Sequence, residues 1–234
     1  IIEAISSCKK LHHLTLTGNT LGVSAAEGIA KALEKHPEFK EARWSDMFTG
    51  RMKTEIPPAL SALGNGMIAA GARLAVLDLS DNAFGPIGVE GLAKLLESDV
   101  CSQLLVIRLN NNGLGVTGGR LLAKALTGVS SPKLKVFIAG RNRLENEGAK
   151  ALAQVFHVSK FIILNGIYHV GVTALCEAFS RNPELTSLNL NDNTIGSKGA
   201  DSIAQVLSRS VYIYFQTGHT APSSFRGKLR GYGN

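Results

Sequence analysis

Apolar residues along this chain fall into two alternating rhythms. The first has period two and occurs in "LHHLTLTGNTLG" (11–22), "LAVLDLSDNAFG" (74–85), "LLVIRLNNNGLG" (104–115), "LKVFIAGRNRLE" (134–145) and "LTSLNLNDNTIG" (185–196). All five fit L-x-x-L-x-L-x-x-N-x-L, with Phe, Ile or Ala at some apolar positions. The second rhythm follows each of them in "GIAKALEK", "GLAKLLES", "LLAKALTG", "ALAQVFHV" and "SIAQVLSR". Alternation such as Leu77-x-Leu79 predicts a short strand with one buried face. Apolar residues at i, i+1 and i+4, as in Ile29, Ala30 and Leu33, predict a helix whose stripe packs on that strand. The column Asn19, Asn82, Asn112, Asn142, Asn193 turns the chain inward. Its amides can bond backbone groups of neighbouring turns that would otherwise stay unsatisfied.

One such unit cannot bury its own apolar face, so copies stack into a curved solenoid. The expected fold is α/β, a leucine-rich-repeat horseshoe with an inner parallel sheet and outer helices. Asn82 to Asn112 and Asn112 to Asn142 are each 30 residues apart, the length of a ribonuclease-inhibitor-like repeat with a full outer helix. Asn142 to Asn193 is 51 residues, room for two shortened repeats. The hidden one falls within 157–179, with Asn165 as its expected ladder asparagine and a strand half too short for the full pattern. Residues 212–234 carry no ladder. The expected organisation is a repeat domain over 1–211, entered part-way through a repeat, and an atypical tail over 212–234.

The pattern breaks once. In "FKEARWSDMF" (39–48), Phe39, Ala42 and Trp44 keep the apolar columns, but Met47 fills the asparagine column. "FTGRMKTEIPP" (48–58) then separates Met47 from the helical run, with Pro57-Pro58 suited to a first helical turn. This predicts a loop of about eight residues on the rim where strands give way to helices. It carries Arg51 and Lys53 beside small Thr49 and Gly50. Long loops on a rigid scaffold often bear function, and a tolerated insertion with solvated charges has the same sequence. Neither Asn110 nor Asn111 has a ladder duty. The position before the ladder asparagine reads Gly18, Asp81, Asn111, Arg141 and Asp192, a row roughly 5 Å apart at strand spacing. Such a mixture suits a polar protein surface, although a residue of this kind taken singly is more often just solvated rim.

Composition narrows the classes of function. With 234 residues, 44% of them hydrophobic, the chain can bury a substantial core. It has no apolar run of about 18 residues. The opening "IIEAISSCKK" lacks an initiator Met and shows no signal peptide. Cys8, Cys101 and Cys176 form no metal-spaced cluster and read as small hydrophobes in a reducing setting. The histidines form no HExxH, there is no Ser/His/Asp or Cys/His signature, and the "GLGVTGG" glycines fall on repeat columns rather than in a phosphate loop. No metal site and no active site of its own is expected. The net charge of +7 raises nucleic acid as a partner. Sparse aromatics and dispersed cations argue against it.

The blocks "WSDMFTGRMKTEIPPAL", "LSDNAFGPIGVEGL", "LNNNGLG", "AGRNRLEN" and "NLNDNT", in this order, resemble the Ran GTPase-activating protein family over roughly residues 11–207. The resemblance implies a monomeric activator that binds the GTP form of the nuclear-transport GTPase Ran. It would need no cofactor, because the partner carries GTP and Mg²⁺. It also implies a cytoplasmic setting, at the nuclear envelope or pore in some arrangements, and more repeats than the seven or so expected here. The family's acidic tail has no counterpart. The family's conserved arginine maps to Arg51 and its catalytically important asparagine to Asn111. Lys53, Asp81, Arg141, Arg143 and Asp192 map to rim positions for partner contact. In this resemblance Asn111 orients the glutamine of Ran that holds the attacking water, and Arg51 positions the partner rather than acting as an arginine finger. The alternative is a leucine-rich-repeat binding or inhibitor module without activation, which has no need of both Arg51 and Asn111.

Overall fold

The computed structural model describes residues 1–128, 133–156, 159–209 and 214–216. Strands and helices alternate along them. The order is α1 (Ile2–Ser7), β1 (His13–Thr15), α2 (Val23–Leu33), β2 (Glu41–Arg43), α3 (Ile56–Ala69), β3 (Val76–Asp78), α4 (Gly85–Leu96), β4 (Val106–Arg108) and α5 (Gly115–Thr127). It continues with β5 (Val136–Ala139), α6 (Glu145–Ala153), β6 (Phe161–Leu164), α7 (His169–Phe179), β7 (Ser187–Asn189), α8 (Gly196–Arg209) and β8 (Tyr214–Gln216). The eight strands form one parallel sheet in sequence order. This is the leucine-rich-repeat solenoid that the two rhythms predict.

Register is kept from repeat to repeat. Ala42, Leu77, Ile107, Phe137, Ile162 and Leu188 pair in succession. Each is 0% exposed, facing the helices. The opposite, concave face is polar at both ends, with Glu41 and Arg43 on β2 and Ser187 and Asn189 on β7. Between them the Asp78–Arg108 pair, 3.7 Å apart, stands beside half-buried Val76, Val106, Val136, Ile138, Phe161 and Ile163. The helices close the other layer. α3 begins with Pro57 and Pro58 in its first turn, as the sequence predicts. Gly66 and Gly91 let the helices approach: a Cβ on Gly66 would lie 2.5 Å from the Ala30 oxygen, and one on Gly91 2.7 Å from the Pro57 oxygen. Burial pushes the Cys101 and Cys176 thiols up to about 12, as small core groups in free form.

The ladder is the inter-repeat bond system. Asn82 accepts the Met47 N–H through Oδ1 at 2.8 Å and donates to the Trp44 and Leu79 oxygens at 2.8 and 2.9 Å. Asn112 accepts from the Asn82 N–H at 2.9 Å, and Asn142 from the Asn112 N–H at 2.9 Å. Asn142 also donates to the Leu109 and Ala139 oxygens at 2.7 and 3.0 Å. At Met47 the amide is missing, as predicted. The Asn19 N–H turns instead to the Asp46 oxygen at 3.0 Å.

Two expectations about the hidden repeat need correction. Asn165 is not its ladder residue. Ile167 holds that seat: it gives its N–H to Asn193 Oδ1 at 2.7 Å, while Asn193 Nδ2 donates to the Leu164 oxygen, three residues before Ile167, at 2.8 Å. Asn165 lies two positions earlier and donates to the Asn191 oxygen at 2.6 Å. Nor is the strand half short, since β6 pairs over four residues with β5. The shortening lies in the outer layer, where α6 has 9 residues against 12 and 13 in α4 and α5. Residues 157 and 158 fall outside the described residues. So does most of 212–234, although Tyr214–Gln216 pairs with β7 and carries the sheet past residue 211.

The turns have a fixed backbone signature. The residue before the ladder seat has positive φ in every repeat from Gly18 onward: Gly18, Asp46, Asp81, Asn111, Arg141, Gly166 and Asp192. Gly, Asn and Asp tolerate this left-handed conformation, and arginine does not favour it. Arg141 (φ 56°) and Arg143 (φ 53°) are held there all the same.

Replacing Asn142 by Ala strands the Asn112 N–H and two buried carbonyls. The expected loss is about 3 kcal/mol, read as a lower urea midpoint. Arg143→Gly relieves the left-handed strain. It should raise stability by about 0.5–1 kcal/mol net of glycine's greater freedom when unfolded, read as a higher urea midpoint.

Candidate functional site

The strand-to-helix turns form a rim, and the sheet sets their spacing. The Asp81 N–H donates to the Asn110 oxygen at 2.8 Å, and the Asn111 N–H to the Gly140 oxygen at 2.9 Å. With ladder side chains turned inward, the preceding residue is turned outward. Asp81, Asn111, Arg141 and Asp192 are all exposed. The predicted row therefore exists, and it gains Asp46 and Gly166 as further members.

A groove of about 880 Å³ runs along this rim. Lys53, Asn111, Arg141, Arg143 and Asp192 all line it, so the structure gathers five predicted residues from three turns and the 48–55 loop. Asp81 joins them through Asn111, whose Nδ2 donates to Asp81 Oδ1 at 3.0 Å. A carboxylate only accepts, so this bond fixes which end of the Asn111 amide faces it. The Nδ2 group is turned to Asp81, and the Asn111 Oδ1 has no partner among the described residues. Three cations and one carboxylate line the groove, which favours an acidic or phosphate-bearing surface.

Arg51 is placed differently. It does not line that groove. Its guanidinium lies over the preceding turn, donating to the Thr20 oxygen from Nε at 3.1 Å and Nη2 at 2.6 Å. Its other nitrogen stands 3.7 Å from Glu55 Oε1.

Sequence reasoning missed three contributors. Asn165 and Gly166 line the groove rather than building the ladder. Their signal was the Asn-Gly pair itself, since Gly166 (φ 70°) takes the left-handed place that Asn111 takes two turns earlier. Ile87, 40% exposed at the start of α4, forms an apolar part of the wall. It lies off the buried stripe of its helix, which was legible but unremarked. Asn110 also has a task, its Oδ1 accepting the Gly140 N–H at 2.8 Å. Among the described residues no group of three or more His, Cys, Asp and Glu side chains could hold a metal ion. No helix there is long and apolar enough to cross a membrane.

A family model described as Leucine Rich repeat matches residues 74–93 and 181–204. The chain is 48% identical over 198 residues to a Ran GTPase-activating protein of Drosophila melanogaster, covering 79% of this chain and 33% of that protein. It is 55% identical over 98 residues to Ran GTPase-activating protein 2 of Caenorhabditis elegans, covering 42% of this chain and 10% of that one. To Ran GTPase-activating protein 1 of Xenopus laevis it is 53% identical over 104 residues, covering 44% and 18%. The chain thus spans a third or less of the length of these curated relatives. These matches and the repeat fold make the chain a leucine-rich-repeat protein that is similar, over most of its length, to Ran GTPase-activating proteins.

Proposed function

We propose that this chain accelerates GTP hydrolysis by Ran, binding the GTP form and orienting the partner's own glutamine, without making or breaking a bond itself. The observation that carries the reading is the Asn111 amide, held by Asp81 with its oxygen unengaged, in a groove walled by Lys53, Arg141, Arg143 and Asp192. Names of relatives support the choice of partner.

Hydrolysis needs a water held in line with the transferring phosphoryl group, and it needs charge stabilisation. The partner's own GTP and Mg²⁺ site supplies the second. For the first, a glutamine that grips water through its carbonyl has N–H donors to spare, and Asn111 Oδ1 is the acceptor left to take one. Fixing that side chain removes its rotational freedom before the chemical step, which is where orientation gains arise. Lys53, Arg141 and Arg143 bind carboxylates or phosphate oxygens on the partner by charge-assisted bonds, and Asp192 selects a cation beside them. The chain acts as a monomer in the cytoplasm.

The test is single-turnover GTP hydrolysis by Ran with and without the chain. The intact chain should accelerate it. Asn111→Ala should lose about a hundredfold or more of the stimulation, with binding of GTP-loaded Ran changed by less than about threefold. Ala is strained at the left-handed Asn111 position (φ 51°), so Asn111→Gly is the companion variant. It should lose the same activity while keeping the turn. Parallel loss of binding and rate would refute the division between orienting and binding residues. Tight binding without acceleration would leave the horseshoe as a protein-binding scaffold.

A further inference from the structure

Four exposed large hydrophobic side chains, Met52, Ile87, Tyr168 and Val170, stand at the strand-to-helix rim. Tyr168 is the largest of them, 51% exposed, and its place in the repeat asks for nothing of its size. Each helix from α4 to α8 carries a glycine facing the apolar residue four places earlier: Gly88, Gly118, Gly148, Gly171 and Gly199. Three places before that glycine the chain reads Gly85, Gly115, Glu145, Tyr168 and Gly196. The other four have φ of 53–61°, the left-handed region that glycine favours. After β6 the turn is two residues shorter, from Leu164 to Gly171 against Leu109 to Gly118. Tyr168 there takes φ −96° and ψ 170°, extended backbone open to any side chain. That backbone is pinned on both sides. Tyr168 pairs with Thr194, whose N–H donates to the Ile167 oxygen at 3.0 Å, and the Tyr168 oxygen accepts the Val172 N–H at 3.1 Å. Tyr168 lines a second hollow of about 380 Å³. This hollow shares Arg143, Gly166 and Asp192 with the Asn111 groove.

We propose that Tyr168 is a binding anchor for Ran, its ring covered when the partner is seated on Asn111. This rests on the function proposed above and adds an aromatic contact to a footprint otherwise dominated by polar and charged groups. Exposed charges orient a partner and speed its approach, and each contributes little to affinity. A buried aromatic ring contributes more, and it has few rotamers to lose on contact. Reach decides that one partner meets both residues. The turn holding Tyr168 lies two strand spacings, about 10 Å, from that of Asn111. An ordinary interface buries about 800 Å² per partner, a patch about 30 Å across. The same turn lies between those of Arg143 and Asp192, so a surface that touches both covers the hollow between them.

The test is single-turnover hydrolysis by Ran titrated with the chain, beside direct binding of GTP-loaded Ran. Tyr168→Ser removes the ring and places a favoured residue at the N-cap of α7, so its urea midpoint should not fall. It should raise the chain concentration for half-maximal stimulation by about tenfold or more, with the maximal rate within about twofold. Tyr168→Phe keeps the ring and should restore that concentration to within about threefold of the intact chain. A half-maximal concentration unchanged in Tyr168→Ser would overturn the proposal and leave the Asn111 reading standing. So would a loss in Tyr168→Ser accompanied by a lowered urea midpoint, which would make the ring a structural group. If the intact chain binds Ran without accelerating it, activation fails, and the binding constant of Tyr168→Ser decides the anchor by the same tenfold criterion. If the intact chain does not bind at all, both readings fall.

Discussion

A parallel sheet of three- and four-residue strands leaves many turn N–H and C=O groups buried beside a hydrophobic core, and each must find a partner. The asparagine ladder meets that demand. One amide accepts an N–H from the repeat before it and returns donors to carbonyls of its own and the preceding turn. For the amide to reach inward, the residue before it must take positive φ, and that rotation sends its side chain outward. The rim row is therefore a by-product of satisfying the core. Its spacing is that of the sheet, and its side chains are free to vary because the ladder beside them is not.

This division explains what could be read in the sequence. Columns with a structural duty repeat, so the strands, the helices, the Met47 gap and the outward row were legible as departures from or companions to a period. Asn111 was legible for the same reason: three asparagines in a row exceed what one ladder seat requires. In the hidden repeat asparagine does not mark the seat. Ile167 fills that seat by backbone donation alone, and Asn165 is two places away. Side-chain identity there was a poorer guide than the left-handed Gly166 beside it.

The placement of Arg51 was not legible at all. Its partner is a main-chain oxygen 31 residues earlier, and a carbonyl leaves no mark on a sequence. A cation on a long loop reads as a hand held out. Here it grips its own scaffold, and the neighbouring Lys53 faces the groove. The orientation of the Asn111 amide was equally out of reach, since it depends on Asp81 standing across the strand gap.

Side-chain rungs run without a break from Met47 through Asn82 and Asn112 to Asn142, and lapse on either side of that run. On one flank Asn19 leans on a backbone oxygen, and on the other Ile167 offers Asn142 no amide. Asp81, Asn111 and Arg141 all stand on that unbroken run, each one place before an amide that ties its turn to a neighbour.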